Sequence, residues 1–474
     1  MFAKYISLVP EIFLLINIIV MQITHWTRKN QTPKTFSTIS KFFVGFALLG
    51  CIVFYNRSID VSWYTNTYYT TFFKSLILFI TLISNMLSCK WFLNQNQSSL
   101  RFYQVIGVFV LSSCLSVSGH NLFVLYIFLN FAYIAGILLI GIGYDSNIKK
   151  KAIHNYIINY FIFMIIFSAG IIALYAQIGD LSYLSIKDFY LTQPLNMWSY
   201  VGVGCIFIAI MYMLGVVPCH LMLDQIVKLS ILPVSVFFST IPIITGIAIL
   251  VTLYYNVFIG ISNYIEYIII LCGIFSIVLG AIGANGCNNI RLLFDRVRIF
   301  NIGILLLVLS YLTLSSLQSG IIYLLVYIIS IFGVYTCFYG MRSHGEYTQD
   351  IKSISGMYTI KPYISAALLI FMISLLGIPP FLGMLGNLSV LNNLLSQKSY
   401  GFIVLIFSML PWVAHGMLNI IKSIFFDQRK QSFDRADKGV YIGLLLNILF
   451  ILTIVMKPDY LISNIEKITR LFLI

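Results

Sequence analysis

The chain has 474 residues, of which 60% are hydrophobic and only 9% charged. A soluble domain carries about 25% charged residues, so there is too little polar surface here to cover a water-facing globule, and the sequence reads as an integral membrane protein. Its apolar runs are continuous, which excludes a transmembrane barrel, whose strands alternate at period two.

The net charge of +14 would suggest nucleic acid in a soluble protein. Here the 29 Lys and Arg are spread thinly along the connections and report orientation, so no nucleic-acid partner is expected. The eight cysteines (Cys51, Cys89, Cys114, Cys205, Cys219, Cys272, Cys287 and Cys337) sit mostly inside apolar runs without a C-x-x-C pair. They read as small apolar fillers, with no case for disulfides or a metal centre. The first apolar stretch begins by Ile6 and lacks a cleavage-like site after it, so the first helix is expected to stay. The richness in Phe, Tyr, Ile and Asn is the drift expected of an AT-rich organellar genome.

A span needs about 20 apolar residues. On that basis the sequence predicts spans near 6–24, 40–56, 69–88, 101–118, 121–143, 153–177, 197–217, 232–256, 262–284, 299–317, 319–340, 363–380, 401–421 and 440–456, about fourteen in all. Of the 29 Lys and Arg, 21 fall in odd-numbered connections and 7 on the other side, with Lys74 inside span 3. That bias places both termini on the non-cytoplasmic (or non-matrix) face.

Two spans carry helix-breaking sequence in mid-membrane: Gly215-Val216-Val217-Pro218 in the seventh, and Gly377-Ile378-Pro379-Pro380 in the twelfth. Proline removes a backbone donor, and unwound backbone at membrane depth is tolerated only where protein or a water-lined cavity satisfies it. The breaks lie five spans apart. Five-helix units in tandem must be oppositely oriented, and paired breaks mark inverted-repeat transporters. The fold class expected is therefore an all-α polytopic membrane protein with two inverted five-helix repeats. The divisions expected are 1–100 (three helices), 101–256 (first repeat), 257–422 (second repeat) and 423–474 (a loop, the last span and an amphipathic C-terminal segment).

The motifs resemble those of the antiporter-like membrane subunits of respiratory NADH:ubiquinone oxidoreductase (complex I), most of all the NADH dehydrogenase subunit 2 type. Pro10-Glu11-Ile12-Phe13 resembles the family's opening, and Phe72-Phe73-Lys74 its third span. Tyr156, Tyr175, Gly179 and Leu181 fall into register with span 6 and the loop after it. Val217-Pro218-Cys219-His220-Leu221, then Pro233-Val234-Ser235, resembles the family's Val-Pro-Phe-His-Leu-Trp and its later Pro-Val-Ser. Asn289-Ile290-Arg291, Gly377-Ile378-Pro379-Pro380 with Gly383, and Ile421 to Asp427 complete a series that arrives in the family's order.

In that family a line of ionisable residues near the midplane carries protons. The resemblance places the span 5 glutamate on Asn130, and the lysines of spans 6, 7 and 8 on Asn155, Met213 and Ile243. It places the span 10 histidine on Asn301 and the lysine after the span 12 break on Asn387. All six are neutral. Met and Ile cannot hold a proton, and Asn stays neutral at every relevant pH. No Lys, Arg, Asp or Glu is expected at the midplane of spans 5 to 12 to replace them. The resemblance thus implies a core membrane-arm subunit of the proton-translocating enzyme with a structural or coupling task. The rivals are a free-standing cation/proton antiporter and a sister antiporter-like subunit that still conducts.

Among the remaining polar residues, His220 reads as a titratable switch or as a cap on broken-helix carbonyls. Asp224 and Lys228, four apart, should pair on one helical face. Lys74 lies about five residues into span 3, close enough to the boundary for its stem to snorkel. His415, deep in span 13, fits an interhelical hydrogen bond. His120 and His154 should be interfacial, and Glu11 matches the family without a derivable role. No cofactor motif is present. The resemblance implies that NADH, flavin, iron–sulfur clusters and ubiquinone belong to other subunits. Its partners would be those membrane-arm subunits, including neighbouring antiporter-like ones, and membrane lipids, with the chain multi-pass in a mitochondrial inner membrane.

Overall fold

The computed structural model describes residues 8–27, 32–55, 59–61, 63–95, 99–142, 147–193, 196–343, 345–347, 349–428 and 432–473, with the backbone alone at 59–61, 147–149, 221–225 and 473. Nineteen α-helices run through them. They are α1 (Val9–Thr27), α2 (Pro33–Val53), α3 (Tyr68–Asn94), α4 (Leu100–Val117), α5 (Leu122–Ile140), α6 (Asn147–Ile178), α7 (Tyr183–Thr192), α8 (Met197–Leu214), α9 (His220–Leu229), α10 (Leu232–Phe238), α11 (Ile241–Thr252) and α12 (Ser262–Asn285). There follow α13 (Ile290–Leu309), α14 (Leu314–Gly340), α15 (Pro362–Leu376), α16 (Gly383–Ser396), α17 (Tyr400–Phe425), α18 (Lys438–Met456) and α19 (Pro458–Leu473). Two small hairpins, β1–β2 (Ile59–Val61, Tyr64–Asn66) and β3–β4 (Arg342–Ser343, Glu346–Tyr347), sit in connections.

Among the described residues, 12 helical segments are long and apolar enough to cross a membrane, or 13 with the bent pair Ile351–Thr359 and Pro362–Leu376. The remaining expected span, the tenth at 299–317, corresponds to α13, which has 20 residues but carries Arg291, Asp295, Arg296 and Arg298. Its start corrects the expectation. The helix begins at Ile290, nine residues ahead of the predicted 299, because charges read as loop are folded into its first half.

Local sequence explains the helix ends. Thr67 and Thr313 close capping boxes on α3 and α14, and Asn121, Ser182 and Asn289 accept backbone N–H bonds at the starts of α5, α7 and α13. Proline opens α2, α10, α11 and α15, where its missing N–H leaves nothing unsatisfied.

The chain forms two compact units, Met1–Leu214 with Leu229–Ile268 and Arg470–Ile474, and Gly215–Lys228 with Ile269–Thr469. In the first, α10 and α11 are apolar all round and almost wholly buried, as the absence of a polar face requires. Its connections knit into one layer: Thr65 N–H donates to Ser118 O at 2.9 Å, Leu122 N–H to Leu181 O at 3.0 Å and Tyr183 N–H to His120 O at 3.3 Å. In the second, α14 is the buried centre. There Ile290 N–H donates to Gln349 O at 2.8 Å, Gly356 N–H to Ser423 O at 3.0 Å and Asp434 N–H to Arg342 O at 2.9 Å. In each unit, the connections that meet in these bonds are of like parity, as they must be if successive spans cross in alternate directions.

Candidate functional site

Both predicted breaks are present. The seventh span stops at Leu214, Gly215 turns with a φ of +62°, and helix resumes at His220. The freed Val217 N–H donates to Ser276 Oγ at 3.1 Å. The twelfth span stops at Leu376, Gly377 adopts a φ of +74°, and α16 begins at Gly383. Gly383 N–H donates to Ser374 Oγ at 3.1 Å, and that hydroxyl shares a 2.8 Å hydrogen bond with Ser330 Oγ. Side chains of the protein thus satisfy the broken backbone, while Pro218, Pro379 and Pro380 are themselves exposed.

Around the breaks, most of the six neutral positions are held by hydrogen bonds or packing within the chain. In the first unit, Asn130 Nδ2 donates to Tyr126 O at 2.7 Å, one turn back on its own helix. Met213 lies in the last turn of α8, with its sulfur beside Gly246 of α11, and Ile243 is buried one turn earlier on α11. This packing is apolar, so a charge there would be desolvated without compensation. Asn155 is half-buried on α6.

In the second unit, Asn301 Nδ2 donates to Val297 O at 2.8 Å, and its Oδ1 accepts the Tyr323 hydroxyl at 2.6 Å. Asn387 Nδ2 donates to Leu376 O at 3.3 Å, capping the end of α15. A Cβ on Gly377 would collide with that amide, so Gly377 and Asn387 form one device. Tyr323→Phe, which strands a buried acceptor on Asn301, is expected to cost about 1–2 kcal/mol, read as faster thermal inactivation of the detergent-solubilised protein.

Three expectations are corrected. Lys74 does not snorkel: it is 1% exposed, its Nζ lies 2.6 Å from Glu11 Oε1, and it donates to the Tyr64 hydroxyl at 2.8 Å. That hydroxyl in turn donates to Glu11 Oε1 at 3.3 Å. A partner 63 residues back in the chain holds the ammonium inside, which also supplies Glu11 with the role that sequence did not. His415 is exposed on α17, with no interhelical hydrogen bond among the described residues. The charges read as the connection before span 10 lie inside its helix: Arg298 Nε is 2.6 Å from Asp295 Oδ1, both buried on α13.

His220 is buried at the start of α9, and its Nδ1 makes no hydrogen bond among the described residues. His120 is half-buried with its ring 5.4 Å from that of Tyr183, whereas His154 and Lys228 are exposed. The side chain of Asp224, and with it the expected pair to Lys228, lies outside the described residues. Sequence reasoning missed a polar seam between α13 and α14. Arg291, Asp295, Arg298 and Asn301 recur at spacings of four and three, one face of a helix, and Tyr323, Tyr327, Tyr335 and Tyr339 recur at multiples of four on α14. That shared periodicity was the available signal.

The profile of the NADH:quinone oxidoreductase/Mrp antiporter transmembrane family matches residues 119–410. The chain belongs to this antiporter family. Among its relatives, NADH-quinone oxidoreductase subunit N of Pelagibacter ubique is 23% identical over 473 residues, covering 97% of this chain and 98% of the relative. Subunit N of Bartonella bacilliformis is 25% identical over 471 residues, covering 95% and 94%. Among solved structures, a chain of respiratory complex I from Thermus thermophilus with bound aureothin matches with a TM-score of 0.81 at 16% identity, over 96% of this chain and 98% of that one. A chain of the Mrp complex from Dietzia sp. DQ12-45-1b matches with a TM-score of 0.88 at 15% identity, over 100% and 98%. The antiporter-family fold therefore extends over the whole chain, including the stretches outside the matched profile.

Proposed function

We propose that the chain is a core membrane-arm subunit of proton-translocating NADH:ubiquinone oxidoreductase whose family proton line has been dismantled, leaving a structural and coupling task. The observation that carries this reading is the packing of Met213 beside α11. A position where the family holds a lysine is filled by a thioether in an apolar contact, and Asn130, Ile243, Asn301 and Asn387 are likewise engaged as hydrogen-bond caps or core. A buried charge in a membrane is costly enough to be kept only for a purpose, and loss of the purpose permits such replacement. On this reading the segments 101–256 and 257–422 are the two inverted repeats. NADH, flavin, iron–sulfur clusters and ubiquinone act in other subunits, the neighbours are further antiporter-like subunits and lipids, and the membrane is the mitochondrial inner membrane of an organelle that encodes the chain.

The test is purification from native membranes through an affinity tag on this chain. NADH:ubiquinone reductase activity is expected to copurify; a chain that purifies alone would favour the free-standing antiporter. In the assembled enzyme, Asn130→Glu with Met213→Lys is expected to leave protons moved per NADH unchanged, measured by pH-sensitive dye uptake in reconstituted vesicles. A clear rise would mean the rest of the line is intact.

A further inference from the structure

Among the described residues, α17 is the span that the rest of the chain covers least, with 22% of its most apolar stretch buried. A helix at the edge of a bundle in a bilayer should turn apolar side chains outward. Other spans do so at depth: α5 exposes Phe131, Ile134 and Leu138, and α12 exposes Leu271, Phe275 and Leu279. On α17 the exposed residues include Ser408, Trp412, His415, Asn419 and Lys422, at steps of four, three, four and three along one face. A repeat of about 3.5 residues is the seam that keeps facing a second helix crossing at about 20°.

The stripe lies at membrane depth. At about 1.5 Å of rise per residue, His415 stands about 4 Å and Asn419 about 10 Å from the middle of Tyr400–Phe425, inside the roughly 15 Å half-thickness of the hydrocarbon. Ser408 satisfies itself by donating to Leu405 O at 2.9 Å. None of Trp412, His415 and Asn419 hydrogen-bonds another side chain among the described residues. Trp412 places an indole donor at the centre of the span, whereas tryptophan is enriched at the membrane–water interfaces. Pro411 has no N–H for the Phe407 carbonyl one turn back, so the same exposed face carries a backbone acceptor without its helical donor. Hydrocarbon offers these groups nothing, and polar side chains within spans belong inside a bundle.

We propose that this face of α17 docks a transmembrane helix of another subunit, one that brings hydrogen-bond acceptors to Trp412, His415 and Asn419 and a carboxylate to Lys422. The stripe holds one cation and no carboxylate. Two copies of the chain, related by a two-fold axis along the membrane normal, would therefore set Lys422 against Lys422, and lipid tails hold no acceptor at all. That the neighbour is a membrane-arm subunit rests on the reading above; the polarity of the face does not.

The test is made in the assembled complex. Leu418, exposed beside Asn419, is replaced by photoreactive p-benzoylphenylalanine, and the purified complex is irradiated. The expected product joins this chain to one other polypeptide, with the crosslink on an apolar helix. Separately, His415→Leu with Asn419→Leu removes the polar groups, and the share of the chain found in the complex is measured on native gels. With a partner helix holding them, that share should fall about tenfold. His415→Gln with Asn419→Gln keeps hydrogen-bonding amides and should restore most of it. On a lipid-facing surface the leucine pair would leave the share unchanged or raise it. The proposal is overturned by a crosslink to phospholipid or to a second copy of this chain, by a leucine pair that assembles normally, or by a glutamine pair no better than leucine. The crosslink is read in a chain whose stripe is intact, so it decides the matter even where the leucine pair fails to fold. Failure of the broader reading shows separately, as a complex that lacks NADH:ubiquinone reductase activity, and such a complex still gives or withholds the crosslink.

Discussion

Removing one partner of the Glu11–Lys74 pair is expected to damage the protein far more than removing both. Lys74→Met leaves the Glu11 carboxylate on α1 buried at 3% exposure, with the Tyr64 hydroxyl as its one donor among the described residues. Breaking a buried pair this way costs about 3–5 kcal/mol, whereas replacing the whole pair with apolar groups of similar volume is often neutral or stabilising. Glu11→Leu with Lys74→Met should therefore recover most of the stability that Lys74→Met alone loses, and each single change should cut the amount of assembled protein severalfold. The measurement is the thermal inactivation midpoint of the detergent-solubilised protein, together with its abundance in membranes. If Lys74→Met alone behaved like the double variant, the pair would contribute nothing and the ammonium would have another partner. The reversed pair, Glu11→Lys with Lys74→Glu, should restore part of the loss, since the Coulombic attraction is indifferent to which helix carries which sign.

The second large effect is expected at the contact of α12 with α13. A Cβ on Gly280 would stand 2.6 Å from Phe300 N and 3.0 Å from Arg296 O, and one on Gly303 would stand 2.9 Å from both Gly273 O and Ile277 N. These are backbone atoms, so no rotamer change relieves them, and the helices must part. Small residues that let backbones approach are the usual basis of helix association in a bilayer. Gly280→Val is expected to cost about 3 kcal/mol, the upper end of overpacking penalties, and Gly303→Ala somewhat less. Gly401 in α17 is the control, because nothing lies within 4 Å of its added Cβ. Gly401→Ala should be neutral or gain about 0.5–1 kcal/mol from helix propensity. Thermal inactivation of the three variants side by side checks the ranking. Equal behaviour at Gly280 and Gly401 would mean that the two helices are not in contact.

Sequence resolved those features whose cause is local. Gly215 and Gly377 were found at the breaks because a Gly with a following Pro cannot continue a helix, and the span pattern followed from hydropathy alone. What it misplaced has a nonlocal cause. Hydropathy counts Arg291, Asp295, Arg296 and Arg298 as solvent-seeking and so starts α13 nine residues late, although Asp295 and Arg298 neutralise one another inside the bundle. Sequence places Lys74 at the interface because its partner Glu11 is on another helix, and no periodicity links the two. The neutral Asn387 after the second break is legible, but not its structural use as the cap of α15, which depends on Gly377 ten positions earlier being bent back against it. His415 shows the opposite error. An ionisable residue deep in a span was credited with a partner, yet α17 turns it outward.

One contact bears on the order in which the protein is made. Phe472 stacks on Tyr69 of α3 with ring centroids 4.1 Å apart, and its carbonyl accepts the Asn256 amide at 3.4 Å. Tyr69 leaves the ribosome well before Phe472, and the group that covers it is synthesised after the whole of the intervening chain. During elongation the first unit is therefore inserted with that face still open to lipid or to an insertion factor. Its last seam closes only when α19 arrives, which makes the finishing of the first unit a late event in biogenesis and ties it to completion of the second.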